Sequence, residues 1–104
     1  MVKNFRQLEF TFDGIVRVYS GASTWYFVNL PKELSDEINA LFADQKRGFG
    51  SLPVEAILND VVWVTSIFPD SQSRTFMLPL KANVRNQAKI VVGSRVKVSL
   101  KIKV

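Results

Sequence analysis

From Arg95 to Val104 apolar and polar residues alternate without a break. Val96, Val98, Leu100, Ile102 and Val104 stand against Arg95, Lys97, Ser99, Lys101 and Lys103. A period of two sends each set to its own side of an extended chain, so the segment reads as a half-buried strand with an apolar underside and a cationic top. Basic residues in such a row suit a sheet edge, where charge discourages pairing with another chain. The same period recurs upstream. In residues 5–12, Leu8, Phe10 and Phe12 oppose Gln7, Glu9 and Thr11. Further on, Leu52, Val54, Ala56 and Leu58 oppose Pro53, Glu55 and Ile57. In Val61–Phe68 the two sets are Trp63, Thr65 and Ile67 on one side and Val62, Val64, Ser66 and Phe68 on the other. A chain patterned in this way is mainly β.

The breaks between these runs predict how the strands connect. Asp13-Gly14 tolerates positive φ and predicts a tight hairpin between residues 5–12 and a second strand, Ile15–Tyr19. Trp25–Leu30 is apolar on both faces and predicts a third strand covered on both sides, by core on one and by a helix or partner on the other. Pro31 suits the first turn of a helix, and Leu34, Ile38, Leu41 and Phe42 then fall on one helical stripe. Asp36 and Glu37 are adjacent, so on a helix they point apart and form a solvated face rather than a catalytic pair. Asn59-Asp60 predicts a two-residue turn between Leu52–Leu58 and Val61–Phe68. Arg74–Leu80 is the sixth strand, stopped by Pro79, and Ala82–Lys89 a short helix with Val84 and Ala88 as its apolar edge. The expected whole is a small barrel of about seven strands with one amphipathic helix and one short helix, in a single domain spanning residues 1–104.

The stretch from Val61 to Arg85 gathers the groups with most chemical content. Trp63, the adjacent hydroxyls of Thr65 and Ser66, and the Lys81/Arg85 pair at a helix entrance all fall within it. Lysine and arginine one helical turn apart supply charge and bidentate hydrogen bonds to an anion. The hydroxyls of Thr65 and Ser66 add donors, and Trp25 with Arg17 adds an aromatic and basic wall. Each group has a purely structural reading as well. An arginine among aliphatic neighbours packs its stem and sends its head to water. A strand hydroxyl bonds a neighbouring strand or water. The loop Gln45–Ser51 carries two glycines and two cations, but a helix precedes it and a strand follows, the reverse of a phosphate-cradling loop.

What the chain lacks narrows the chemistry further. It has no cysteine and no histidine, which removes disulfides, thiolates, imidazole bases and the commonest metal ligands together. No metal or cofactor is expected, and an enzyme would have to rely on lysine or a carboxylate. No apolar run approaches the roughly 20 residues of a membrane span, and Lys3 and Arg6 lead into no signal-like segment. A cytoplasmic location without membrane association is therefore expected. The net charge of +5 is unevenly spread: residues 71–104 hold eight of the 14 basic side chains and none of the nine acidic ones. Such a block suits an anionic partner, or else basic strands paired with acidic ones elsewhere in the sheet.

The words WYFVNLP, RGFGSLPVEA, WVTSIFPD, FMLPLKANVR and VGSRVKVSL, in this order and spacing, resemble the bacterial domain of unknown function nineteen-oh-five, over most of the chain from Phe10 to Leu100. That resemblance implies a double-split β-barrel, a fold also found in some small dimeric DNA-binding regulators, and it implies no catalytic activity. Some relatives carry a further C-terminal domain associated with bacteriocin protection, and this chain is expected to lack it. One departure stands at Ser94-Arg95, where the family pattern has Gly-Asp.

The residues and the resemblance together favour a non-catalytic binding module for an anionic small molecule or partner, with Arg17, Trp25, Thr65, Ser66, Lys81 and Arg85 as candidate ligand-binding residues. The alternative is a dimeric nucleic-acid-binding protein, less favoured because the basic residues alternate with core positions and no recognition helix is evident. A lysine- or carboxylate-based enzyme ranks third. Monomer and homodimer both remain compatible with the sequence.

Overall fold

The computed structural model describes residues 8–103. The first part of the expected strand 5–12 and Val104 at the end of the last one lie outside the described residues. Seven strands and two α-helices follow one another: β1 (Glu9–Ile15), β2 (Arg17–Ser20), β3 (Thr24–Asn29), α1 (Lys32–Phe42), β4 (Leu52–Leu58), β5 (Val61–Asp70), β6 (Thr75–Pro79), α2 (Ala82–Ala88) and β7 (Arg95–Ile102). Two 3₁₀ turns, Ala43–Gln45 and Gly48–Gly50, join α1 to β4. The strands form one antiparallel sheet in the order β1-β7-β4-β5-β6-β3-β2, curled into a half-barrel. The mainly β architecture with one amphipathic and one short helix is as the alternation predicts.

The concave face is the core. Val54, Ala56 and Leu58 of β4 and Val98, Leu100 and Ile102 of β7 are completely buried, while their odd-numbered neighbours face outward. Each of the valine, leucine and isoleucine side chains among them contributes roughly 1.5–3 kcal/mol by leaving water. Helix α1 adds Ile38 and Phe42 to this core, with Leu34 and Leu41 half-buried beside them, and leaves Asp36 and Glu37 exposed. Its Ser35 is also fully buried: the Ser35 hydroxyl accepts the Phe76 N–H at 3.0 Å. It takes over from the backbone of Leu30, whose own N–H still bonds the Phe76 carbonyl before Pro31 turns the chain away.

Asn59 and Asp60 have φ of 48° and 67°, the left-handed pair that matches the twist of a two-residue hairpin. The Asn59 side-chain amide also donates to the Ala88 carbonyl at 3.0 Å, tying the end of α2 to this turn. Lys89, expected to be the last residue of that helix, instead ends it in a left-handed conformation with φ of 57°.

Three expectations are corrected. Asp13-Gly14 is not a hairpin turn: β1 runs straight through it and pairs with β7, while β2 pairs with β3 at the other end of the strand order. Val16 is the corner between them, held by its N–H to the Ser94 carbonyl and its carbonyl to the Gly93 N–H. Gly14 serves close approach instead. A Cβ there would lie 2.4 Å from Val28 Cγ1, where β1 meets β3 and the curl closes. Second, β7 is no edge strand, since β1 and β4 flank it. Third, of the two covers expected for the outer face of β3, the helix is not there among the described residues: Val28 is buried on the core side, while Trp25 on the outer face is half exposed.

Candidate ligand-binding cleft

The site arises where the sheet splits, and strand register shows why. In a two-residue hairpin the residues flanking the turn form a hydrogen-bonded pair, here Leu58 and Val61. Every second residue onward (Trp63, Thr65 and Ile67) therefore bonds to β4, and Val62, Val64 and Ser66 turn their N–H and C=O groups away from it. At the far end of β5 that outer edge is filled by β6, with Phe68 opposite Met77 and Asp70 opposite Thr75. One step further the same register would place Pro79 opposite Ser66. Proline has no N–H to give the Ser66 carbonyl, and proline ends a ladder on the side that needs a donor. There β5 and β6 part. Strand β6 stays with β3, as the Leu80 N–H to Tyr26 carbonyl bond of 2.8 Å records.

A cleft of about 530 Å³ fills the gap. Thr24, Trp25 and Tyr26 of β3 form one side and Thr65 of β5 the other. Pro79, Leu80 and Lys81, with Ala82 and Arg85 of α2, close its end. Lys81 is exposed and its ammonium makes no hydrogen bond or ion pair with a described residue. Arg85 is held in place. Its guanidinium carbon lies 3.6 Å from the centroid of the Tyr26 ring, and its Nη1 donates to the Leu80 carbonyl at 2.6 Å. Stacking plus one fixed hydrogen bond leaves the other N–H groups of the fork presented edge-on. The half-buried Thr65 hydroxyl has no protein partner among the described residues. Among the described residues no carboxylate lines the cleft.

Four of the six residues singled out from sequence, Trp25, Thr65, Lys81 and Arg85, line this one cleft. The other two lie elsewhere. Ser66 directs its side chain to the outer face of β5, although its backbone borders the gap. Arg17 sits on the outer face of β2, 6.0 Å from the Phe27 ring centroid and 3.4 Å from Asn29 Oδ1. Sequence reasoning missed Tyr26 and Thr24. An aromatic in a strand apolar on both faces reads as core, and nothing local reveals that Tyr26 lies beneath an arginine 59 positions onward.

Elsewhere the charge is arranged differently. Lys101 of β7 stands between Glu9 and Glu55 on neighbouring strands, and Lys97 opposite Asp13. The basic face of β7 is thus interleaved with carboxylates, as cross-strand pairing favours. Among the described residues the one ion pair within 4.0 Å is Lys32–Asp36, and no group of three or more acidic residues could hold a metal ion. No helix among them is long and apolar enough to cross a membrane. On the outer face, Tyr19, Trp25, Phe27 and Met77 with Asp70, Ser71 and Gln72 line a second depression of about 380 Å³.

Comparison with curated proteins finds no match to this sequence. A family model does match it, over residues 12–100 and hence from β1 through most of β7, so the chain belongs to the family described as domain of unknown function, DUF1905.

Proposed function

We propose that the protein is a binding module for an anionic ligand, held in the cleft between β5 and β3 by Lys81 and Arg85. The observation that carries this reading is a pair of cations, one without a partner among the described residues and one pre-oriented on Tyr26, in a concave site where no described residue supplies an acid. A guanidinium already fixed in place loses little freedom on meeting a carboxylate or phosphate, so more of each charge-assisted bond appears as affinity. Thr24 and Thr65 supply hydroxyls at the walls, and Trp25 and Leu80 an apolar surface for the body of the ligand. A nucleic-acid reading draws less support, because the lysines of β7 already face cross-strand carboxylates.

The two cations predict different mutational behaviour. Lys81→Ala removes only charge from an exposed side chain, so it should leave the melting temperature of the free protein unchanged. Arg85→Ala also removes the Tyr26 stack and the bond to Leu80 and should lower it. Thermal shift with inorganic phosphate, mononucleotides and small carboxylates tests the reading. A ligand at about 100 times its dissociation constant adds about 2.7 kcal/mol to the wild type, and Lys81→Ala should reduce that gain. Absence of stabilisation by every anion in both proteins would overturn it.

A further inference from the structure

The cleft offers more than positive charge. It is bordered by a strand edge that has lost its neighbour: Val64 and Ser66 direct their backbone N–H and C=O groups into the place that a longer β6 would occupy. Across the gap, Thr24 of β3 lies past the last residue paired with β6, Phe27, and makes no backbone bond on that side to a described residue. The Asn59–Ala88 bond draws the end of α2 toward the start of β5, so the stretch of edge nearest the cleft is that of Val64 and Ser66.

A bare anion answers only part of this arrangement. Phosphate or acetate satisfies donors, namely Lys81, Arg85 and backbone N–H groups, and leaves the carbonyls of Val64 and Ser66 without a donor. An extended peptide supplies N–H and C=O alternately at the spacing a strand edge requires, and its chain end brings a carboxylate. We propose that the cleft accepts the C-terminal end of an extended peptide, its backbone pairing with β5 at Val64 and Ser66 and its terminal carboxylate meeting Lys81 and Arg85. The inference rests on the anion-binding reading and adds to it the class of partner. Strand addition would continue the course that β6 abandons at Pro79. Two consecutive peptide units suffice to bond both edge residues before the carboxylate reaches Lys81 at the closed end.

The test uses the isotope-labelled full chain and amide chemical shifts. The probes are a pool of acetylated tetrapeptides randomised at every position with free C-termini, the same pool amidated, acetate and inorganic phosphate. The free-acid pool should shift the Val64 and Ser66 amides and slow their hydrogen exchange. Amidation, or Lys81→Ala in the protein, should weaken the response about tenfold or more, the loss of a charge-assisted contact. Equal responses to the acid and amide pools would overturn the role of the terminal carboxylate. If acetate or phosphate perturbs Lys81 and Arg85 while the peptide pool leaves Val64 and Ser66 unmoved, the peptide proposal falls and the anion reading stands. If no probe perturbs the cleft, both fall.

Discussion

Ser35 and Trp63 show how differently two side chains with one polar hydrogen-bonding group can behave. The Ser35 hydroxyl is fully buried and receives the Phe76 N–H that the turn at Pro31 leaves without a strand partner. Ser35→Ala would leave that N–H buried and unpaired, at a cost of about 1–3 kcal/mol in a urea unfolding curve. Trp63 is half-buried against the core, and its indole Nε1 is buried with no hydrogen-bond partner among the described residues. Trp63→Phe removes more atoms but also removes the orphaned donor, so the two effects oppose each other. We expect it to cost less than Ser35→Ala, and the reverse order would mean that packing at Trp63 dominates. In the cleft the same contrast separates Lys81, whose ammonium has no partner among the described residues, from Arg85, which is as much a part of the fold as of the site.

At the scale of elements, the informative event is the early end of β6. A proline at position 79 faces β5 with no donor, and the sheet opens from that point. Pro79→Val restores an N–H in a residue suited to strands, so the ladder should gain a bond to the Ser66 carbonyl worth about 0.5–1.5 kcal/mol. Hydrogen exchange would then find the amide at position 79 protected, and anion binding in the narrowed cleft weakened. An amide there exchanging as fast as one in an exposed loop would refute this account of the split. Position 79 was legible from sequence as a strand terminator. Its consequence was not, because the effect depends on which neighbour a proline faces, and that is fixed by the registers with β5 and β3 together.

Across the whole molecule, the curl is closed by contact between strands distant in the sheet order. Gly14 of β1 lies against Val28 and Asn29 of β3 so closely that a methyl group would overlap Val28 Cγ1. Gly14→Ala should therefore destabilise by about 1–3 kcal/mol, through displacement of β1 from β3. Unchanged stability in calorimetry would show that the half-barrel can open there freely. The charge asymmetry is also a property of the whole. Residues 71–104 carry no acid of their own, yet β7 lies between two strands that bring Glu9, Asp13 and Glu55 beside its lysines.

Local sterics make alternation a property of each segment by itself: a side chain every second residue on one face identifies a strand wherever it ends up. Strand positions, the stripe of α1, the turn at Asn59-Asp60 and the inward set of β7 were therefore readable from the residues alone. Asp13-Gly14 misled for the complementary reason, since a glycine that permits positive φ and a glycine that permits close approach are the same residue in sequence. Which strands pair, that β7 is central, and that Lys81 and Arg85 share a cleft with Thr65 and Tyr26 depend on contacts between residues far apart in the chain. Only the tertiary structure decides them, because hydrogen-bond register and close packing are settled between segments rather than within one.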